Sequence, residues 1–339
     1  MRPSPHPLEQ PVRSPQRTIP SLSLLLGLTL ALTSCANGTD DGSAAEPAAG
    51  PAAANAANTG FTEPEDPYAV TDPELSERLH LPLYDYMLDE YEQWTVRRAQ
   101  DALAVECLTG LGYDVSAAPY GTADVQLAHF GPRHEYRRYG VARVDLAEEY
   151  GFEVPEEEPG DPYLYGEGVD EEAVFAALHG FPAVDSTPSG EPVPEGGCNH
   201  QANLRLNPDS PPPDEEGMWV TPEGGAEPDL PGVHPLALNL TIDSYSAGEQ
   251  DPEVVAAAGA WKECMDLAAD AAGPVGASEA TGDAVRTARC LDSSGFLDAF
   301  VAAETRAQEP MIEEHREALE ERRDRLAEEL AAAREALGW

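Results

Sequence analysis

The sequence predicts a mainly α-helical protein: a disulfide-bonded helical bundle with a long C-terminal helix and extended loops rich in Pro and Gly. Three observations lead to this prediction. Apolar residues recur at steps of three and four in several segments that begin with a capping residue and end near a Gly. Four cysteines remain after the first 35 residues, an even number. Gly and Pro number 29 and 32 in a chain of 339 residues, which indicates long irregular stretches between helices.

The charge balance excludes one class of partner. The chain has 20 Lys and Arg against 63 Asp and Glu, a formal net charge of −43. Nucleic-acid binding requires a basic face that neutralises phosphates, and the total charge here has the opposite sign. We therefore expect no nucleic-acid partner.

Residues 1–34 have the pattern of a bacterial lipoprotein signal peptide. Three arginines precede an apolar segment without charge at residues 19–32. About 14 helical residues span roughly 21 Å, less than the ~30 Å hydrocarbon core, so the segment predicts a cleaved signal rather than a permanent span. The next residues, Leu32-Thr33-Ser34-Cys35, resemble the bacterial lipobox. The resemblance implies cleavage before Cys35 and acylation of Cys35 with fatty acids such as palmitate.

Acylation of Cys35 would hold the mature chain on the outer face of the plasma membrane, because two or three acyl chains anchor a protein stably. The alternative is ordinary secretion, in which Cys35 follows the apolar segment by chance. Residues 35–66 are mostly small and polar. Such a segment buries too little apolar area to offset the entropy of ordering its backbone, which predicts a flexible tether. Residues 67–339 then form the predicted helical domain.

The other cysteines are Cys107, Cys198, Cys264 and Cys290. In an exported chain, four cysteines predict two disulfides with three possible pairings. We favour Cys107–Cys198 with Cys264–Cys290, because the second bond would join two successive helices, and the other two pairings stay open at this stage. Zinc is the competing use of cysteine, but no Cys-x-x-Cys or paired-histidine spacing accompanies these residues. The sequence therefore predicts disulfides and no metal site.

The first predicted helix runs from Pro82 to Gly112. Its apolar stripe, at steps of three and four residues, includes a cysteine that should face the core. Glycines close the helix, because Gly adopts the left-handed conformation of a C-cap without a steric penalty. We expect the aromatic residues of this stripe, and Trp261 farther along the chain, to be core side chains rather than a ligand platform. The stripe comprises Tyr91, Trp94, Ala99, Leu103, Cys107, Leu108 and Leu111.

The middle of the chain predicts short pieces. Residues 138–140 and 150–152 mark two short helices or turns, each with a closing Gly. An acidic loop at 156–168 precedes a short helix from Ala173 to His179, which Asp170 and its neighbours cap.

Residues 183–250 are predicted to form an irregular acidic insertion. They are rich in Pro, Gly and Asp and mostly lack apolar periodicity. One stretch, Leu236 to Ile242, alternates apolar and polar residues and predicts a single strand.

The C-terminal part predicts three helical segments. Asp251-Pro252 is an N-cap followed by Pro at the first helical position, and this helix should run to about Ala271. Asp283 begins the next helical region, inside which Pro310 should kink or restart the helix. Beyond Pro310, apolar residues recur every seven positions. That narrow stripe favours packing on the protein's own first helix, with packing on a partner as the alternative. The heptad residues are Ile312, Leu319, Leu326 and Ala333.

Catalytic and cofactor motifs are missing or incomplete in the sequence. His134-Glu135 begins a zinc-protease motif, but Arg138 stands where the second histidine ligand belongs. No phosphate-binding glycine loop, nucleophile elbow or Ser-x-x-Lys occurs. Asp185 to Gly190 resembles half of a calcium loop without its closing Glu, and His200 after Cys198 is expected to be an exposed histidine rather than a ligand. We therefore assign no catalytic residue, metal or cofactor.

Several short motifs together resemble a group of uncharacterised, exported actinobacterial proteins. The resemblance covers about residues 85–339. It implies a mostly helical fold, disulfides, a long helix after the last cysteine and an extracytoplasmic location, and it implies no activity. The motifs are Glu106-Cys107-Leu108 with Gly112-Tyr113, Arg138-Tyr139-Gly140, Tyr150-Gly151-Phe152, Gly196-Gly197-Cys198, Trp261-x-x-Cys264-Met265 and Ala284-Val285-x-x-Ala288-x-Cys290.

The combined expectation is a lipid-anchored extracytoplasmic protein that binds another component of the cell envelope and is not an enzyme. One alternative is a cell-wall or extracellular hydrolase whose carboxylates supply acid–base catalysis. It would require a deep cleft with two carboxylates about 5 to 9 Å apart. The other alternative is a lipoprotein that captures a solute for a transporter, which would require two lobes of strands and helices.

Overall fold

A computed structural model confirms a mainly α-helical protein. It describes residue 63 and residues 72–118, 138–153, 162–181, 187–212, 230–278 and 282–339, all of which belong to one compact unit, Ala53–Trp339. Among these residues, no helix has both the length and the apolar character that crossing a bilayer requires. The helices are α1 Pro73–Arg78, α2 Glu90–Gly110, α3 Val144–Tyr150, α4 Glu171–His179, α5 Gly197–Leu206, α6 Pro235–Gly248, α7 Pro252–Met265, α8 Ala284–Ser293 and α9 Phe296–Leu337.

Two short strands complete the described secondary structure. β1, Val115–Ala117, pairs antiparallel with β2, Tyr163–Tyr165, and Ser116 lies opposite Leu164. β2 falls inside the segment that was predicted to be an acidic loop.

The first predicted helix is interrupted once. A 3-10 helix, Pro82–Tyr86, ends before α2 begins at Glu90. The interruption arises because Asp89 caps α2: its carboxylate accepts from the Glu92 N–H at 2.9 Å, and the Glu92 carboxylate accepts from the Asp89 N–H at 3.1 Å. Such a reciprocal capping box fixes a helix start.

The predicted strand at Leu236–Ile242 is wrong, because these residues lie in α6. Pro occupies the first turn of α6, and the His234 ring nitrogen Nδ1 accepts the Ala237 N–H at 3.2 Å as an N-cap. The alternation over this short stretch misled, since the buried residues follow a helical period over the whole segment. The insertion 183–250 is therefore not irregular throughout, as it contains both α5 and α6. The buried residues of α6 are Pro235, Ala237, Leu240, Thr241, Ser244 and Gly248.

The predicted aspartate caps are confirmed. Asp170, Asp251 and Asp283 accept backbone N–H groups at the starts of α4, α7 and α8. α7 ends at Met265, earlier than the expected Ala271, because Asp266 adopts a left-handed conformation with φ of 59°. The short pieces in the middle of the chain are a turn at 138–140 and α3, which ends at Gly151 with φ of 64°.

The long helix α9 runs through Pro310 without ending. Its 42 residues span about 63 Å, and it contacts α2, α5, α6, α7 and α8. Pro310 lies on the exposed side of the helix. The carbonyl one turn earlier, at Arg306, loses its intrahelical donor on a side where water can replace it, which lets the helix continue.

The heptad residues of α9 pack within the protein, partly on the segment predicted as the first helix, Pro82 to Gly112, as favoured, and partly on α6, which was not expected. Ile312 and Leu319 pack with α6 and the 3-10 helix, while Leu326 and Ala333 pack with α2. Two cores follow. We call one the α2–α5 core, formed by α2, α4, α5, the two strands and the C-terminal part of α9. The other, the α7–α8 core, consists mainly of α7, α8 and the N-terminal part of α9.

A buried ion pair holds the N-terminal part of α9. The Arg138 guanidinium contacts the Glu304 carboxylate at 2.6 Å and donates to the Thr241 carbonyl at 2.9 Å. Glu304 is fully buried and also accepts from the Ser244 hydroxyl at 3.1 Å. Because each charge has hydrogen-bond partners, the desolvation of both ions is compensated.

A second buried pair lies in the C-terminal part of α9. Arg322 and Glu329 are two turns apart, with 3% and 2% of their side chains exposed. Arg322 also donates to the carbonyls of Val233 and Leu230, at 2.7 and 2.8 Å, while Glu329 accepts from the Gly232 N–H at 2.8 Å. The pair therefore attaches the segment before α6 to α9.

Candidate functional site

The four cysteines pair as favoured from the sequence. Cys107–Cys198 joins α2 to α5 with a Cα–Cα distance of 5.6 Å. Cys264–Cys290 joins the successive helices α7 and α8 with a Cα–Cα distance of 5.7 Å. These four residues are structural, because a disulfide leaves neither sulfur as a nucleophilic thiolate or a metal ligand.

Several residues singled out in the sequence lie outside the described residues. These are Cys35, His134, Glu135 and Asp185, together with residues 1–34 and nearly all of residues 35–66. Arg138, next to the incomplete zinc-protease motif, is committed to the buried ion pair with Glu304.

His200 is not the exposed histidine that was expected. It lies in α5 with 7% of its surface exposed, and its ring packs so closely on Gly196 that a Cβ there would lie 2.8 Å from the ring. Burial lowers the pKa of His200, partly offset by the charge of Glu195. Within the described ranges, no three His, Cys, Asp or Glu side chains are grouped so that they could hold a metal ion.

The predicted core aromatics divide into two kinds. Trp261 is fully buried, as expected, and Tyr91 is 9% exposed. Trp94 is half-buried and stacks between two rings, Tyr91 at 5.6 Å and the C-terminal Trp339 at 5.8 Å. This stack attaches the end of α9 to the start of α2.

A shallow depression lies beside α1. It has a volume of about 450 Å³, is open to solvent, and is lined by Pro73, Ser76, Glu77 and His80. Its lining supplies one carboxylate, whereas the hydrolase alternative requires two facing carboxylates in a deep cleft.

The most distinctive surface feature is a cluster of three aromatic rings at the end of α4, which we call the aromatic surface. It consists of Phe175, His179 and Phe181. The Phe175 ring lies 4.4 Å from the His179 ring and 5.8 Å from the Phe181 ring, and the His179 and Phe181 rings are 5.6 Å apart. Phe175 is 55% exposed. Phe175 is exposed and His179 and Phe181 are half-buried, so the three rings form one continuous aromatic cluster at the surface.

Local backbone geometry brings the three rings together. Phe175 and His179 are four residues apart on α4 and lie on one helix face. Gly180 ends the helix in the left-handed conformation, with φ of 72°, and the Phe181 N–H then donates to the Ala176 carbonyl at 2.9 Å. This turn directs the chain back along the helix, so that Phe181 meets the other two rings.

Tertiary packing fixes the same turn. A Cβ on Gly180 would lie 2.6 Å from the Gly197 nitrogen, and a Cβ on Gly197 would lie 2.3 Å from the Leu178 oxygen. Only glycine permits this approach of α4 to α5. Cys198, next to Gly197, is fully buried and bonded to α2. The aromatic surface thus lies next to the cross-linked α2–α5 core, into which Val174, Ala177 and Leu178 of the same helix pack.

The electrostatics of the aromatic surface are one-sided. Burial lowers the pKa of His179, so its imidazole is neutral at pH 7. Glu171 and Glu172 are exposed and precede Phe175 by four and three residues, the spacing of neighbours on one helix face. The surface therefore combines exposed ring faces with adjacent negative charge.

The sequence pattern did not predict that these three residues form a surface cluster. It identified the helix and its stop at Gly180 but not the exposed ring. One signal was present: residues 173–178 are all apolar, although a nine-residue surface helix buries only one side. Phe175 falls outside the buried set, which is Val174, Ala176, Ala177 and Leu178.

The chain was also compared with known proteins. No protein-family model, no curated protein and no solved structure matches it.

Proposed function

We propose that this chain is an exported, lipid-anchored protein that acts as a non-enzymatic binding module of the cell envelope. The observation that carries the proposal is the sequence Leu32-Thr33-Ser34-Cys35 directly after a basic and then apolar segment. That order is typical of a lipoprotein signal peptide.

The disulfides support an extracytoplasmic location. Each bond joins two helices and has one buried cysteine, Cys198 or Cys290, and such structural disulfides form and persist mainly in oxidising compartments. The acidic, small and polar residues after Cys35 would let the helical domain stand away from the membrane.

The binding role is supported by the kind of surface that the domain offers. The described residues present an exposed aromatic face on a rigid scaffold, and contiguous exposed apolar side chains commonly mark interaction sites. The solute-capture alternative has less support, because the described strands form one two-stranded antiparallel sheet and not the sheets of two lobes.

Metabolic labelling tests the anchor. Cells expressing the full chain are grown with an alkyne-labelled palmitate analogue, and we expect label on the wild-type protein and none on the Cys35→Ala variant. The matched control is Ser34→Ala, which keeps a small residue before the cysteine and should remain labelled. Wild-type protein without label, released into the medium, would overturn the anchoring proposal in favour of ordinary secretion.

Crosslinking in intact cells tests the binding role. An amine-reactive crosslinker cannot serve well, since the chain has one lysine, so a carboxylate-reactive reagent suits its 63 acidic residues. We expect one reproducible envelope protein joined to the chain. Absence of any reproducible partner would contradict the binding role and shift weight to ligand capture or hydrolysis.

A further inference from the structure

We propose that the aromatic surface formed by Phe175, His179 and Phe181 is the docking site for a protein segment that presents Arg or Lys beside an apolar side chain. This inference rests on the proposed binding role and names the surface and the partner chemistry for it.

Exposure of the aromatic surface to water is unfavourable in free energy. Phe175 is the only phenylalanine among the exposed large hydrophobic residues of the described chain, and two further rings extend its face. Aromatic residues that are both exposed and clustered are enriched at the centres of protein interfaces. A partner that covers the three rings would remove their apolar faces from water.

The charge next to the aromatic surface favours a cationic partner. Glu171 and Glu172 are exposed acidic residues that precede Phe175 by four and three positions on one helix face, and burial lowers the pKa of the adjacent His179. The whole chain has a net charge of −43, which repels anionic and attracts cationic partners. A guanidinium or ammonium group over the Phe175 ring would gain a cation–π contact and a carboxylate partner together.

The backbone that carries the aromatic surface is held in place by tertiary contacts. The rings sit on a turn that is fixed by the contact of Gly180 with Gly197 and by the disulfide one residue later. A surface that is ordered before binding loses little conformational entropy when a partner docks. Such pre-organisation distinguishes this face from apolar side chains on loops.

Another exposed apolar pair provides a comparison. Leu238 and Ile242, 45% and 56% exposed, lie four residues apart on α6. They offer no aromatic ring for a cation. Val255, 58% exposed on α7, is likewise aliphatic. These positions serve as controls, because they match Phe175 in exposure and differ from it in chemistry.

Site-specific photocrosslinking in cells tests the inference. The photoreactive analogue p-benzoylphenylalanine replaces Phe175, Leu238 or Val255 in the full chain, and crosslinked segments are sequenced by mass spectrometry. We expect a crosslink from position 175 to one envelope protein, at a segment with Arg or Lys next to an apolar residue. A crosslink from 238 or 255 alone would overturn this inference and leave the binding role intact. No crosslink at any position would contradict both.

Binding of a synthetic peptide with the captured sequence tests the chemistry. We expect Phe175→Ala to weaken the affinity about tenfold or more and Val255→Ala to leave it unchanged. Replacing Glu171 and Glu172 by Gln should weaken binding and reduce its dependence on salt. A captured segment without basic residues, or an affinity that Phe175→Ala does not change, would overturn the inference.

Discussion

The α2–α5 core and the α7–α8 core each have a disulfide and a buried ion pair close by, but the sequence separations of the two kinds of interaction are reversed between them. In the α2–α5 core the covalent tie is long-range, since Cys107 and Cys198 are 91 residues apart, whereas the ion pair Arg322–Glu329 lies within one helix. In the α7–α8 core the disulfide closes 26 residues, and the nearby pair Arg138–Glu304 joins positions 166 residues apart. Each core is therefore stabilised by one interaction that is local in sequence and one that joins distant residues.

This exchange has an energetic consequence. A disulfide stabilises mainly by restricting the unfolded chain, and the effect grows with the length of the closed loop. A buried ion pair has no such advantage, and its value depends on the hydrogen bonds that remain if one partner is lost. We therefore expect the α2–α5 core to depend more on its disulfide and the α7–α8 core more on its ion pair.

Removal of the Cys107–Cys198 disulfide gives the largest expected effect. Loop-closure entropy predicts a loss of about 4.5 kcal/mol for Cys107→Ala with Cys198→Ala, and about 3.5 kcal/mol for Cys264→Ala with Cys290→Ala. Urea unfolding followed by circular dichroism measures both free energies. A larger loss from the second pair would reverse the assigned order of the two cores.

The ion pairs should show the opposite order. Glu304→Gln removes the buried counter-charge of Arg138, which also donates to the Thr241 carbonyl, and we expect a loss of about 4 kcal/mol in the free energy of unfolding. Glu329→Gln leaves Arg322 with two backbone carbonyls, and the expected loss is about 2 kcal/mol. Thermal and urea unfolding of the two isosteric variants decide the comparison, and equal losses would contradict it.

Glycine substitutions sharpen the contrast at the backbone level. Gly197 and Gly295 both have left-handed φ angles, of 73° and 71°, but a Cβ on Gly197 meets α4 whereas a Cβ on Gly295 meets no atom within 4 Å. Gly197→Ala should cost about 3 kcal/mol and Gly295→Ala about 1 kcal/mol. If the two variants unfold at the same denaturant concentration, the close approach of α4 and α5 does not constrain the fold.

Acid should weaken the α2–α5 core first. Burial lowers the pKa of His200, so the folded state binds fewer protons than the unfolded state near the usual imidazole pKa of about 6.5. The contribution of His200 to stability is therefore complete above a pH of about 6.5 and is lost as the pH falls through the lowered pKa of the folded state. Hydrogen exchange should accelerate in α5 before α7, and His200→Leu should remove much of the difference. Uniform acceleration in both helices would contradict the assignment.

Local signals in the sequence accounted for the starts of α4, α7 and α8 but not for those of α2 and α6. Asp170, Asp251 and Asp283 cap helices because a short carboxylate just before a helical segment can accept the unpaired backbone N–H groups of the first turn. The favoured cysteine pairing was correct, since the proximity of two successive helices limits the partners of Cys264.

Other features required contacts between distant residues. Alternation at Leu236–Ile242 predicted a strand, and only the packing of Ala237, Leu240 and Ser244 against other helices reveals the helical period. His200 was expected to be exposed because nothing near it in sequence shows that α5 buries it.

The sequence by itself predicted a mainly helical domain and the Cys264–Cys290 disulfide from residues close together in the chain, and the even number of cysteines predicted the second disulfide. The lipoprotein signal, which is also a local pattern, stays a prediction. The tertiary structure decided which charges are buried, how α9 connects the two cores, and that three rings at the end of α4 form one exposed face. The physical reason is the separation in sequence between the residues that interact. A cap or a signal is a local interaction, whereas burial and the close approach of Gly180 to Gly197 depend on segments that meet only after folding.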